Sequence, residues 1–177
     1  MKTFVLGIAF LGMSCFLNAQ NDIAYVDVNE TSFKSATAKT AALKNPGYFE
    51  AIEVNLVPER VKAFQAVVAN YDIKQAPVYL EARKSTYDVV FTEGLNSIKA
   101  VYDHNGNIIR CDEKFEEVRV PYFLSKEITK MYPGWGYQAV QCTISYNKDE
   151  APKVNYKVVL KNGSKKKTIS IDANELI

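Results

Sequence analysis

A chain of 177 residues with a single histidine has few routes to an acid–base site, and His104 lies in Tyr102-Asp-His-Asn-Gly-Asn-Ile-Ile109. A Ser-His-Asp or Cys-His arrangement needs its imidazole held rigidly and oriented by a carboxylate. Asn105-Gly106 instead marks a turn that reverses a strand. Asp103, Asn105 and Asn107 begin as a calcium loop begins, with alternate oxygens, but the twelfth position is Lys114, where a bidentate Glu is required. The expectation is therefore no catalytic residue, no metal and no cofactor.

Other reactive residue types read the same way. Cys111 and Cys142 lie in apolar, strand-like runs; an exported chain can join such a pair as a disulfide, or bury both as free thiols. With no Cys-x-x-Cys, a structural zinc site has no ligands to draw on. Lys165-Lys166-Lys167 beside Gly163 reads as a solvated hairpin tip, and Asp112 to Glu117 as an exposed link. Pro133-Gly-Trp-Gly-Tyr137 offers Trp135 and Tyr137 as aromatic anchors for a partner, or Trp135 as a plug over a helix end.

The first residues set the compartment. Lys2 precedes an apolar run from Phe4 to Leu17 that closes on Ala19, the layout of a secretory signal peptide over residues 1–19. Cys15 as a lipidated first residue would need a lipobox, and Gly12-Met13-Ser14 matches one poorly. The expected destination is the periplasm or the outside of a bacterial cell, with no transmembrane segment after leader removal. Lys and Arg number 22 against 20 Asp and Glu, so no long-range field selects nucleic acid.

What must position any site is a repeated unit. Tyr87-Asp-Val-Val-Phe-Thr-Glu-Gly94 lies over Tyr156-Lys-Val-Val-Leu-Lys-Asn-Gly163, and Asp103 and Asn105 lie over Asp172 and Asn174, all at one displacement of 69 positions. Each unit begins with a helix that has one apolar side. Val61, Phe64, Val67, Val68 and Tyr71 follow Pro58; Leu124, Ile128, Met131 and Tyr132 follow Pro121. Strands of period two come next. The first unit has Val78 to Ala82, Tyr87 to Phe91, a run to Asp103, and Asn107 to Cys111 after a two-residue Asn-Gly turn. In the second, Val140 to Tyr146, Tyr156 to Leu160 and a run through Ile169 and Ile171 lead to a turn at Asn174-Glu175 and a last strand barely begun. Residues 57–112 and 113–177 are the two repeats. Residues 20–56 form a lead segment: Asp22 to Val28 has the pattern of an added strand, and Ser32 to Lys44 reads as a short helix or a loop.

At the level of these residues the chain resembles the PepSY-like exported proteins of Bacteroidetes, whose fold is that of the β-lactamase-inhibitor protein. The resemblance is carried by Val57-Pro58, Tyr71, Tyr87-Asp88-Val89, Gly94 and Asp103 to Ile109. In the second half it is carried by Val120-Pro121, Tyr132-Pro133, Tyr156-Lys157-Val158, Gly163 and Asp172. Glu175 stands where the pattern has its second glycine, and Tyr71 lacks the neighbouring proline. The resemblance implies an α+β fold, a tandem repeat of helix plus antiparallel strands forming one continuous antiparallel sheet with helices on one face. It also implies a non-enzymatic module that binds or inhibits other proteins. Some such relatives carry a nucleotidyltransferase label, which asks for a His-x-Gly-His cluster that this chain lacks.

Period two then predicts which side chains lie on the uncovered face: Tyr79, Arg83, Val90, Lys157, Val159 and Lys161. Aromatic, branched and long cationic side chains suit a protein- or peptide-binding surface. The alternative function is assembly, in which the short final strand is an edge completed by another chain. Nothing in the pattern demands more than a monomer.

Overall fold

The computed structural model describes residues 23–28, 43–52, 56–82 and 84–176. They form an α+β fold with one seven-stranded, mostly antiparallel sheet and three helices. In chain order the elements are β1 (Ile23–Asp27), α1 (Pro46–Ile52), α2 (Glu59–Asn70), β2 (Tyr87–Glu93), β3 (Asn96–Tyr102), β4 (Ile108–Glu116), α3 (Tyr122–Met131), β5 (Gly136–Asn147), β6 (Lys153–Asn162) and β7 (Lys165–Asp172). Strand order in the sheet is the order in the chain. Five antiparallel pairings make a meander from β2 to β7, and β1 joins β2 in parallel, a departure from the wholly antiparallel sheet expected.

Alternation divides the sheet into a covered and an open face. Val89, Phe91, Ile98, Ala100, Phe115, Ile144, Tyr156 and Val158 are buried and join one core with Val61, Phe64 and Val68 of α2 and Leu124 and Ile128 of α3. Edge-to-face ring pairs fasten the layers: Tyr48 of α1 on Tyr146, Phe64 on Phe115, and Tyr71 on Phe91. Both helices start as their prolines dictate, with Pro58 and Pro121 at the N-cap in extended conformation. Met131, counted on the apolar stripe of α3, is instead exposed.

The two-strand ribbons β2–β3 and β6–β7 both turn through a glycine followed by one more residue. Gly94 (φ +59°) and Gly163 (φ +57°) take the left-handed conformation that the first position of a two-residue, twist-compatible turn needs. The Asn105-Gly106 turn differs from expectation. It lies in a five-residue connection between β3 and β4, and Asp103 organises it by accepting from the backbone N–H groups of Asn105 (2.9 Å) and Asn107 (2.8 Å). Partial burial pushes the Asp103 carboxyl up, but the donors from Asn107 and Asn105 hold it below its ordinary value.

Three further expectations are corrected. Val78 to Ala82 is not a strand: the Tyr87 hydroxyl bonds both the N–H and the C=O of Leu80, taking the groups a ladder would use, and β1 lies where that strand would pair with β2. Asp112 to Glu117 is not an exposed link, because β4 runs through Glu116, so the expected boundary at 112/113 falls inside a strand. The chain's last described turn is a 3-10 segment, Ala173–Leu176, rather than the start of another strand, and the sheet edge is the eight-residue β7. Within residues 20–56, β1 fills the place of the added strand, α1 is a helix that was not expected, and most of Ser32 to Lys44 lies outside the described residues.

Tyr102 is fully buried, and its hydroxyl has no partner among the described residues. An unpaired buried hydroxyl costs more than it returns. Tyr102→Phe is expected to leave stability unchanged or raise it by up to about 1 kcal/mol, read as an equal or higher urea midpoint.

Candidate functional site

The open face is built from the outward residues of every strand. Cross-strand register places them in rows: Tyr25, Val90, Lys99, Asp112, Ser145 and Lys153 form one, and Thr92, Ser97, Lys114, Thr143, Asn155 and Asp172 the next. Of the residues singled out from sequence, Val90, Lys157, Val159 and Lys161 do lie on this face. Val90 is on β2 and the other three on β6, four strand spacings away, or roughly 19 Å. They form two neighbourhoods, not one cluster.

The remaining candidates lie elsewhere. Tyr79 packs at a tilt against Tyr87, whose ring faces the core, and donates its hydroxyl to the His104 carbonyl at 3.0 Å. It is part of the covered side. Arg83 is outside the described residues. Trp135 packs partly buried against Tyr132 at the C-terminal end of α3, the plug arrangement. Tyr137 pairs across β5–β6 with inward-facing Leu160, and its hydroxyl meets Ser125 Oγ of α3 at 3.0 Å, so it too belongs to the helix side. Cys111 and Cys142 are both free and buried; of the two readings of the pair, the free-thiol one describes the structure. Cys111 pairs with Tyr146 and Cys142 with Phe115, an offset of four residues, or about 13 Å along the strands, well beyond the reach of a disulfide.

Charge is distributed unevenly over the open face. On β2 to β4 each cation has an acid beside it: Lys99 with Asp88 at 2.8 Å, Arg110 with Asp112 at 3.5 Å and Lys114 with Glu116 at 3.0 Å. Gln141 also donates to Glu116 at 2.7 Å, and Lys114 and Gln141 together hold the Glu116 carboxyl below its ordinary value. A depression of about 550 Å³ among these strands is bounded by Asp88, Lys99, Arg110 and Asn147, with Val101 and Ile109 in its lining. A second, of about 310 Å³, lies over Asp112, Lys114, Thr143 and Asn155. On β6 and β7 the balance is lost. Lys153, Lys157, Lys161 and Lys166 are exposed and make no direct ion pair among the described residues, although Lys157 lies near enough to Glu116 to help hold its carboxyl low.

Residues that sequence reasoning missed on this face include Tyr25, three-quarters exposed beside Val90, and Lys166, directly across from Lys161. The second was within reach: once Gly163-Ser164 is a two-residue turn, counting back from it pairs 161 with 166. The first depended on knowing that β1 lies beside β2.

Among the described residues no three His, Cys, Asp or Glu side chains gather so as to hold a metal ion, and no helix is long and apolar enough to cross a membrane. His104 is exposed in the β3–β4 connection. Comparison with models of known families, with curated proteins and with solved structures finds no match to this chain.

Proposed function

We propose that the protein is an exported, non-enzymatic module that engages a protein or peptide through the open face of its sheet, acting as an inhibitor of, or a restraint on, an enzyme of the bacterial envelope or exterior. The observation that carries this reading is the asymmetry of the sheet. One face is sealed by helices. The other presents Tyr25, Val90 and Val159 among Lys, Arg and hydroxyl side chains, with Ile109 lining one of its two depressions, a mixture that buries area while keeping polar contacts. Export rests on the leader-like residues 1–19.

The PepSY-like reading draws support from the two Gly-turned ribbons at a displacement of 69, each preceded by a proline-started helix. In that reading β1 stands beside β2 where β5 stands beside β6, a parallel substitute for a strand the first unit lacks. The competing reading, assembly by edge pairing, keeps an open edge at β7 but is the less favoured. Lys165, Lys166 and Lys167 lie on the β7 edge, and lysines there discourage a second copy from adding a strand.

The test is capture from envelope extract. Val90→Arg combined with Val159→Arg is expected to reduce recovery of a specific partner about tenfold or more, while Lys126→Ala on α3 leaves it intact. Equal recovery by the two variants would rule out the open face as the binding surface.

A further inference from the structure

Lysines on an edge strand have an ordinary explanation, but β6 is interior to the sheet, and Lys157 and Lys161 project from its open face. Lys161 stands directly opposite Lys166, and like charges directly opposite one another destabilise a sheet. On β2 to β4 of the same face Lys99, Arg110 and Lys114 are each balanced by an acid, and Lys153 at the far end of β6 stands alone among the described residues, so this corner is where two lysines face each other. Around the lysines lie Val159, Thr168 and Ser170, an apolar residue and two hydroxyls able to complete hydrogen bonds to carboxylates.

We propose that this corner of the open face, centred on Lys157, Lys161 and Lys166, docks an acidic patch of a protein partner. The proposal rests on the open-face reading and adds the partner's chemistry. An extended polyanion or a charged lipid surface fits less well: laid across the sheet it would meet Asp88, Asp112 and Asp172 on the same face, and the near-neutral chain has no long-range field to attract it. Lys157 is partly balanced by Glu116, whose carboxyl it helps to hold low, so the facing ammonium groups of Lys161 and Lys166 carry the excess, and a pair so close suits a compact cluster of carboxylates met at contact.

The test uses the full chain with a short Asp/Glu-rich peptide, its Asn/Gln counterpart, and vesicles containing phosphatidylglycerol, followed by amide chemical shifts. The acidic peptide alone is expected to shift amides around Lys157, Lys161 and Lys166, with affinity falling as salt is added. Lys161→Glu with Lys166→Gln should weaken it about tenfold or more. In the free protein Lys166→Glu, which turns a like pair into an opposite one, should raise Tm by about 2 °C while weakening the peptide. Equal binding of the neutral peptide, or binding of vesicles with the peptide silent, overturns the proposal. Shifts confined to the Tyr25–Val90 half overturn it too, yet leave the open-face reading standing; shifts confined to α1, α2 and α3 sink both.

Discussion

Replacing Glu113 by Gln is expected to make the protein more stable at pH 8, by up to about 3 kcal/mol, and to leave its stability near pH 4 almost unchanged. Glu113 projects from β4 into the core and is 4 % exposed. Tyr48 of α1 donates to one carboxylate oxygen at 2.8 Å and Gln65 of α2 to the other at 2.7 Å, so one acid ties two helices to the sheet. Burial pushes its pKa up to about 7, the two hydrogen bonds opposing but not cancelling that push.

The direction follows from proton binding. Between the ordinary glutamate range and about pH 7 the folded chain holds a proton at Glu113 that the unfolded chain has released. This group's stabilisation is therefore complete below the unfolded value and is lost as pH rises through the folded one. Asp72, held low by Lys44, and Asp103 and Glu116, also held low, work in the opposite sense and weaken the fold as pH falls through their folded values. The informative quantity is thus the difference between parent and Glu113→Gln in urea melts from pH 4 to pH 8. A difference that stays flat with pH, or favours the parent at pH 8, would refute the assignment.

Truncating Phe115 to Ala should cost about 3–5 kcal/mol, a large share of the 5–15 kcal/mol typical of a whole domain. Phe115 is 2 % exposed and meets Phe64 edge to face, with ring centroids 6.0 Å apart. The two rings form a principal contact between α2 and the middle of the sheet, where a cavity has little freedom to collapse. A double-mutant cycle with Phe64→Ala isolates the ring pair: a coupling of about 0.5–1.5 kcal/mol is expected, and strict additivity would show that the rings do not support each other.

Much of this architecture was legible because period and punctuation agree. Pro58 and Pro121 place both helix starts, and Gly94 and Gly163 place two turns, since each residue's backbone restriction is local. Where reading failed, a distant group had taken over a local role. Val78 to Ala82 alternates like a strand, but the Tyr87 hydroxyl claims the polar groups of Leu80, and Tyr79 packs against Tyr87 on the covered side. Glu113 interrupts an apolar series with an acid, so Asp112 to Glu117 reads as solvated until Tyr48 and Gln65 are seen above it. On the open face Val90, Lys157, Val159 and Lys161 follow from alternation alone, whereas Tyr25 needed a pairing across the greater part of the first half of the chain.

That pairing has a kinetic meaning. The neighbouring pairs from β2 to β7 are joined by short turns, except β4 and β5, whose connection carries α3, whereas Ile23 must find Asp88 across about 65 residues. Loop closure makes such an encounter slow unless its template already exists. β1 is accordingly expected to pair after the meander has formed, so that the part of the open face around Tyr25 is completed later than the lysine corner on β6 and β7; amide hydrogen exchange that protects β1 as early in refolding as β6 would refute this order.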